Sequence, residues 1–456
     1  MRAAAAAATR EPPRAGRLAT LGRWAKIGSV ARTCGERRQA LNTNGGEATN
    51  GVSEEELVAG RLWSGQRLTR LRDERLETTG QFLVSQWEEL APWLAEQRAT
   101  RVFVVLDRQA LPPDLPVEAI AGLMPGAALE VFDRIAPNPP LELAEEAAAA
   151  ARRQGAELVL GFGGGSSLDL AKLVALGASE VGDADGASWS EVVRAGRSLE
   201  AFRPRPLVAI PTTAGSGSEA THFAVTYVGS AKRSVVHPGM RPAAVVLDER
   251  LVAGMPRPLA AASGLDALAQ ALESMWAVGA NDGSRCDSLL AASLMMPVLE
   301  RSVLAPRGGA RRFMQWGSHV AGQAINVSKT TAAHALSYAL TKRYQIPHGH
   351  AVALTLGHVA AWNAGVTDDD CLDPAGPDAV RQRVAAACRW LGVEPAEMPG
   401  RMVALLRTLE LPASLDEAGV PVADLPDLAA AVDPVRLDNN PRRFTAADLE
   451  SLLRRA

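Results

Sequence analysis

Cysteine and histidine are scarce in this chain, and long apolar runs are missing from it. There are four cysteines and seven histidines in 456 residues. Cys34, Cys286, Cys371 and Cys388 lie far apart and form no CxxC pair, a pattern that favours reduced thiols in a cytoplasmic protein over a disulfide frame. No stretch approaches the roughly 20 apolar residues of a membrane span. A formal net charge of -3 gives no general attraction for nucleic acid or membrane surfaces. With 47% hydrophobic and 22% charged residues, the composition is that of a soluble globular protein. The length exceeds one ordinary core, so two domains are expected.

The first forty residues differ from the rest. They carry nine Lys or Arg against two acids, a run of alanines and several Gly and Pro. No hydrophobic periodicity supports a fold there, so residues 1–55 read as a disordered extension or as sequence ahead of the working start site. An Arg-rich, acid-poor targeting peptide has the same composition. The pattern turns helical from Glu54, through Trp63, Leu68 and Leu71, and again over residues 82–94. Five short apolar segments follow, at 102–106, 129–132, 158–160, 207–210 and 244–247, each with a helical stretch behind it. Such alternation predicts a parallel sheet covered on both faces, with ligands at the carboxyl ends of the strands. From Pro256 the strand pattern stops and helical periodicity runs to Ala456. The expected architecture is an α/β domain with a parallel sheet over residues 56–256, followed by an all-α domain over 257–456.

Two loops fall at the predicted strand ends. Gly163-Gly164-Gly165-Ser166, continuing to Asp169 and Lys172, would let backbone approach a phosphate while the next helix offers free N–H groups. Pro211-Thr212-Thr213-Ala214-Gly215-Ser216 supplies hydroxyls and glycines suited to a ribose or phosphate, or to a solvated turn. Asp107, closing the first predicted strand, can accept from a ribose 2′-hydroxyl and would repel a 2′-phosphate, favouring NAD over NADP. It could equally be a turn or cap residue.

Three of the seven histidines, His334, His348 and His350, fall within seventeen positions. His334 lies in an apolar run with helical spacing, and Pro347 breaks that pattern so that His348 enters the next helix. Imidazoles at such a join could meet at a metal ion, or simply pack in a core. Asp266 and Gln270 are four apart and share one face of an apolar helix. A carboxylate there calls for a cationic partner, unless it caps the helix.

These motifs, in this order, resemble the iron-dependent (group III) alcohol dehydrogenase family over roughly residues 100–456. The resemblance rests on the Gly163–Lys172 and Pro211–Ser216 stretches, on Gly264-Leu265-Asp266-Ala267-Leu268, and on His334-Ala335-Leu336 with Pro347-His348-Gly349. It implies a dehydroquinate synthase-like fold, a dinucleotide-binding α/β domain followed by a helical one, with a divalent metal (Fe2+ or Zn2+) between. It places metal ligands on Asp266, Gln270, His334 and His348. Gln270 stands where the family has a histidine, and Tyr338 where many members have another. Cofactor contacts fall on Asp107, Asn138, Gly164, Gly165 and Ser166, and on Thr212, Thr213, Ser216 and Lys232, for NAD(H) or NADP(H). The segments around His222, Lys232 to Pro238, Asn326 to Thr331 and His348 to His350 are similar to the phosphonoacetaldehyde reductase subgroup.

The resemblance implies reduction of a small aldehyde, most specifically phosphonoacetaldehyde, by a likewise implied homo-oligomeric enzyme with no nucleic-acid or membrane partner. Tyr338 or His350, through water, is the expected proton donor. Lys329 with the hydroxyls of Thr330 and Thr331 precedes the helix of His334 and would hold a phosphonate, with Arg233 and His237 as further candidates. The rival readings are a reductase for an uncharged aldehyde or diol, a lyase or polyol-phosphate dehydrogenase of the same architecture, and a binding protein that has lost its metal.

Overall fold

The structure is a computed structural model that describes residues 65–112, 117–178, 186–229, 231–306 and 309–456. Residues 1–55, Trp63 and Cys34 lie outside them. The helix Gly65–Thr79 (α1) buries Leu68 and Leu71, as the periodicity predicts. A six-stranded, all-parallel sheet follows. Its strands are Phe82–Val84 (β1), Arg101–Leu106 (β2), Ala128–Phe132 (β3), Leu158–Gly163 (β4), Leu207–Pro211 (β5) and Ala244–Val246 (β8), and they lie in the order β1-β8-β5-β4-β2-β3. Five of these are the predicted apolar segments. β1 corrects the expected helical stretch over 82–94. Its three residues pair with β8 from Phe82 opposite Ala244 to Val84 opposite Val246, and helix begins only afterwards, with a 3-10 turn at Trp87–Leu90 that leads into Ala91–Gln97 (α2).

β4, β5 and β8, and β2 after Arg101, are apolar because both of their faces are covered, whereas the edge strand β3 is partly exposed. Phe103, Val105 and Val159 point to one side, against Leu141–Gln154 (α3) and Gly165–Gly177 (α4). Val102, Val104, Leu106, Leu158 and Leu160 point to the other, against Trp87, Leu90 and Leu94. That is the period of two of a pleated strand. An antiparallel hairpin, Phe223–Val228 (β6) and Ala231–Val236 (β7), stands apart from the sheet. Its outer strand is largely exposed, so it lacks the apolar run that marks the others.

From Arg257 onward every regular element among the described residues is helical. Arg257–Trp276 (α5) is buried almost all round from Ala260 to Trp276, the pattern of a central helix. It packs against Asp282–Met295 (α6), Ala310–Ser328 (α7) and His348–Ala364 (α9), with Ala332–Tyr344 (α8) lying against α9. Among the described residues no helix is long and apolar enough to cross a membrane. Cys371 and Cys388 are free thiols. Cys286 is disulfide-bonded, which corrects the expectation of a reduced thiol there.

Candidate active site

One cavity of about 1560 Å³ opens between the carboxyl ends of the strands and the helices that follow. Its first wall is glycine. Gly163, at the end of β4, has φ +145°, and a Cβ there would lie 2.7 Å from Ser167 Cβ and 2.9 Å from Asp107 Cβ. A Cβ on Gly165 would lie 2.8 Å from Ser216 Cβ. The two loops are stitched together by Thr212 N–H donating to Gly163 O at 3.0 Å. α4 starts at Gly165 with no side-chain cap, so its first N–H groups face the cavity free to meet an anion. Asp107, Asn138, Gly164, Gly165 and Ser166 line this end, and Thr212, Thr213 and Ser216 face them. Asp107 also caps a short turn, accepting from Gln109 N–H at 3.0 Å. Asp169 and Lys172 have a structural role. Asp169 accepts from Ser218 Oγ (2.6 Å) and Val225 N (2.9 Å), while buried Lys172 Nζ donates to Thr221 Oγ1 and Phe223 O, both at 2.7 Å. They fasten α4 to the hairpin.

The opposite wall is built from three helices. α5 presents Asp266, Gln270 and Glu273 on one buried stripe. His334 sits in the first turn of α8, and His348 is the first residue of α9. α9 can approach α5 because position 349 is glycine, where a Cβ would meet Ala262 O and Asp266. Candidate ligand atoms of Asp266, His334 and His348 all lie within 4.8 Å of one another. His334 Nε2 is 3.2 Å from Asp266 Oδ1, and His348 Nε2 is 3.9 Å from the same oxygen.

Each imidazole is held at its other nitrogen. His334 Nδ1 meets Glu273, which also accepts from Thr331 Oγ1 (2.6 Å) and Ala333 N (3.0 Å). His348 Nδ1 is 3.2 Å from Ser337 Oγ, whose own proton goes to His334 O at 2.7 Å. Ser337 is therefore an acceptor, which assigns the proton of His348 to Nδ1 and leaves Nε2 a free lone pair. Anchoring one ring nitrogen so that the other faces a shared point is how imidazole ligands are oriented. The Gln270 amide nitrogen donates to Gly215 O (3.2 Å) and Ser216 O (3.3 Å), while its buried Oε1 has no partner. One carboxylate, the lone pair of His348 Nε2, His334 Nε2 once its proton is displaced, and an orphaned amide oxygen fit a divalent cation of borderline softness.

The electrostatics agree with that donor set. Burial acts to lower the pKa of His334, but the Glu273 and Asp266 carboxylates outweigh it and raise the group to about 10. Loss of hydration pushes His348 down to about 4. Burial acts to raise Asp266, yet the hydrogen bond from His334 and the two imidazoles hold it below the usual carboxylate range.

Tyr338 lines the cavity one helical turn beyond His334, its ring stacked on His348 with centroids 5.6 Å apart. Lys232 Nζ lies 3.2 Å from the centre of that ring. Burial acts to raise the Tyr338 hydroxyl, but Lys232, His334 and Arg436 bring it below its ordinary value. Lys329 and Thr330 line the cavity too. Three expected residues are not brought there. His350 Nε2 donates to Pro412 O (2.7 Å), because two positions along a helix from His348 is nearly the opposite face. Arg233 is exposed on β7, because it alternates with inward-facing Lys232. His237 caps a turn, accepting from Gly239 N at 2.9 Å. Three residues went unread in the sequence: two that stand behind the imidazoles and one, Arg436, that lines the cavity. Glu273, seven positions after Asp266, could have been found from helical spacing. Ser337 and Arg436 carry no comparable mark.

The iron-containing alcohol dehydrogenase family matches residues 81–249, and its Fe-containing C-terminal family matches residues 260–456. A phosphonoacetaldehyde reductase of Streptomyces viridochromogenes is 34% identical over 302 residues, 65% of this chain and 75% of that one. A lactaldehyde reductase of Escherichia coli is 30% identical over 337 residues, 72% and 84% of the two chains. Among solved structures, a sulfoacetaldehyde reductase of Bifidobacterium kashiwanohense in complex with NAD+ has a TM-score of 0.70 at 26% identity, covering 82% of this chain and 95% of that one. With both halves of the cavity matched by the two parts of one family, the chain belongs to the iron-containing alcohol dehydrogenases, enzymes that interconvert alcohols and aldehydes with a nicotinamide cofactor.

Proposed function

We propose that this enzyme reduces phosphonoacetaldehyde to 2-hydroxyethylphosphonate with NADH and Fe2+. The observation that carries the reading is cationic side chains, Lys232 and Lys329, in the same cavity as Asp266, His334 and His348. Nearby carboxylates do not neutralise Lys329, whose pKa burial alone depresses. A cation that borders the cavity without a carboxylate partner is matched by an anionic ligand. Two similar proteins are named for aldehydes that carry such an anion, a phosphonate and a sulfonate. Asp107 in the cofactor wall favours the free 2′-hydroxyl of NADH over the 2′-phosphate of NADPH.

In this reading Gly164, Gly165 and the start of α4 receive the pyrophosphate, and Thr212, Thr213 and Ser216 line the path to the nicotinamide. Asp266, His334 and His348, with Gln270 Oε1, would hold the cation. When bound, it supplies Lewis acidity for the developing charge on oxygen. Glu273 and Ser337 keep the imidazoles aimed. NADH, when bound, would supply the hydride for the carbonyl carbon and leave as NAD+, and Tyr338 Oη would give its proton to the resulting alkoxide and be reprotonated from solvent. With His350 turned away, Tyr338 is the donor the cavity offers.

The test is a panel of aldehydes run with NADH and NADPH after loading with Fe2+, Zn2+ or Mn2+. Phosphonoacetaldehyde with NADH is expected to give the highest kcat/KM, and NADH is consumed, as it would not be by a cyclising lyase. Equal or better kcat/KM for propanal or lactaldehyde would overturn the substrate assignment in favour of an uncharged aldehyde.

Two further results are expected. Lys329→Ala lowers the kcat/KM ratio of phosphonoacetaldehyde to propanal by about 10-fold or more, the scale of a lost hydrogen bond to a charged group; an unchanged ratio denies Lys329 an anion-holding role. Cation binding also displaces a proton. At pH 8 the metal-free His334, raised to about 10, is protonated, whereas His348, lowered to about 4, is neutral. Titrating metal-free protein with Zn2+ in weak buffer should release about one proton from His334 per ion. The release should vanish as pH rises past the raised His334 value. No release at pH 8 would mean that His334 is not a ligand.

A further inference from the structure

The far side of the cavity from the cofactor loops is closed by a segment near the carboxyl end of the chain. The short helix Pro434–Leu437 carries Arg436 on its inner side, with the guanidinium carbon 4.8 Å from the centre of the Tyr338 ring. Tyr338 stacks in turn on His348, so Arg436 stands one ring beyond the candidate metal ligands. Asp433 faces it with Oδ2 3.6 Å from Nε, beyond hydrogen-bond length, while Asp433 Oδ1 accepts from Val435 N–H at 3.1 Å. Arg436 therefore retains donors for another anion.

The segment is fixed in place. Asn439 Nδ2 donates to Ser328 O (2.8 Å) and Thr330 O (2.9 Å), its Oδ1 accepts from Gly279 N (2.8 Å), and its carbonyl accepts from Val278 N (3.0 Å). The same amide thus clamps both flanks of Lys329, which has φ +60° and ψ −176°. A non-glycine residue in that region is strained, and such strain persists only where neighbours enforce it. Asn439 enforces it and also sets the short helix that bears Arg436. Two cations from distant parts of the chain are pinned to one framework and border one cavity.

We propose that Arg436 is the specificity-determining residue of this site, binding jointly with Lys329 the phosphonate or sulfonate of a two-carbon aldehyde whose oxygen faces Asp266, His334 and His348. The planar fork of an arginine suits the tetrahedral oxygens of either group. The proposal rests on the aldehyde-reductase reading above and adds to it the residue that selects the anion.

The experiment compares wild type, Arg436→Gln and Arg436→Lys as metal-loaded enzymes. Phosphonoacetaldehyde, sulfoacetaldehyde and propanal are reduced with NADH, and ethylphosphonate, which cannot be reduced, is titrated by calorimetry into each NAD+-loaded protein. Arg436→Gln should lower the anionic-to-neutral kcat/KM ratio by about 10- to 100-fold, through KM, and weaken ethylphosphonate by a similar factor, with Arg436→Lys intermediate. The better of the two anionic substrates identifies the anion. An unchanged ratio, with all three aldehydes slowed equally, would overturn the proposal and leave Arg436 as a prop for Tyr338. Equal ethylphosphonate affinity in wild type and Arg436→Gln would overturn it too. Failure of the wild type to reduce any aldehyde would defeat the reductase reading, while the calorimetry still decides whether Arg436 binds the anion.

Discussion

Gly349→Ala is expected to unfold the metal-binding wall, although glycine-to-alanine in a helix ordinarily stabilises. Alanine gains roughly 0.5–1 kcal/mol over glycine in a helix interior. Position 349 reverses the sign because α9 rests directly on the backbone of α5. The added carbon would lie 2.7 Å from Asp266 Cβ and 2.8 Å from Asp266 N, and would also strike Ala262 O. Backbone atoms cannot rotate aside, so the helices must separate. Overpacking of this kind costs about 1–3 kcal/mol and sometimes more. The separation moves His348 away from Asp266. A displacement of about 1 Å at a reacting centre lowers turnover on the order of 100-fold. The control is Gly400→Ala in the helix Met398–Thr408, where a Cβ meets nothing within 4 Å. Thermal melts should show Gly400→Ala raising Tm and Gly349→Ala lowering it, with bound metal lost in the second alone. A stable Gly349→Ala enzyme that keeps its metal would show that the approach of α9 to α5 does not set the ligand geometry.

Glu273→Gln tests the same wall from behind. Glu273 is fully buried and accepts from Thr331 Oγ1, Ala333 N and His334 Nδ1. Burial acts to raise its pKa, but the His334 charge outweighs that and keeps it ionised. A glutamine has the same shape but turns an NH2 group toward one of those donors. A buried unmatched donor costs about 1–3 kcal/mol. His334 also loses the carboxylate that contributes most to raising it. Affinity for Mn2+ or Zn2+ is expected to fall about 10- to 100-fold, the usual effect of removing the group behind a ligand histidine. Because the His334 pKa drops, the proton released on loading at pH 8 should shrink as well. A chelator titration and a proton count read these together. Lower stability with metal affinity and proton count unchanged would reduce Glu273 to a packing role.

Much of this was legible in the residues, for identifiable reasons. Parallel strands covered on both faces must be apolar runs, so five of six could be placed; β1 could not, being three residues long with a helix close behind. The hairpin escaped because its outer strand faces solvent. Asp266 stood out as a carboxylate in an apolar helix, and Pro347 marked the entry that aims His348. His350 and Arg233 were misplaced by reading neighbours as companions. Helix and strand periods send residues two and one positions away to opposite faces, so His350 could not share a site with His348, nor Arg233 with Lys232. Arg436 could not be reached. It belongs to no motif, and only the tertiary fold carries it to Tyr338.

The single Gln270 amide joins the two halves of the cavity, its nitrogen bound to the Gly215 and Ser216 carbonyls while its side chain stands one helical turn from Asp266. A histidine at this position could not grip two carbonyls at once while offering a lone pair to a cation. In the proposed reading, an ion at one end and a nucleotide at the other would meet through one rigid planar group. Thermodynamic reciprocity then makes a numerical demand: whatever factor iron contributes to nucleotide affinity, the nucleotide must return to iron.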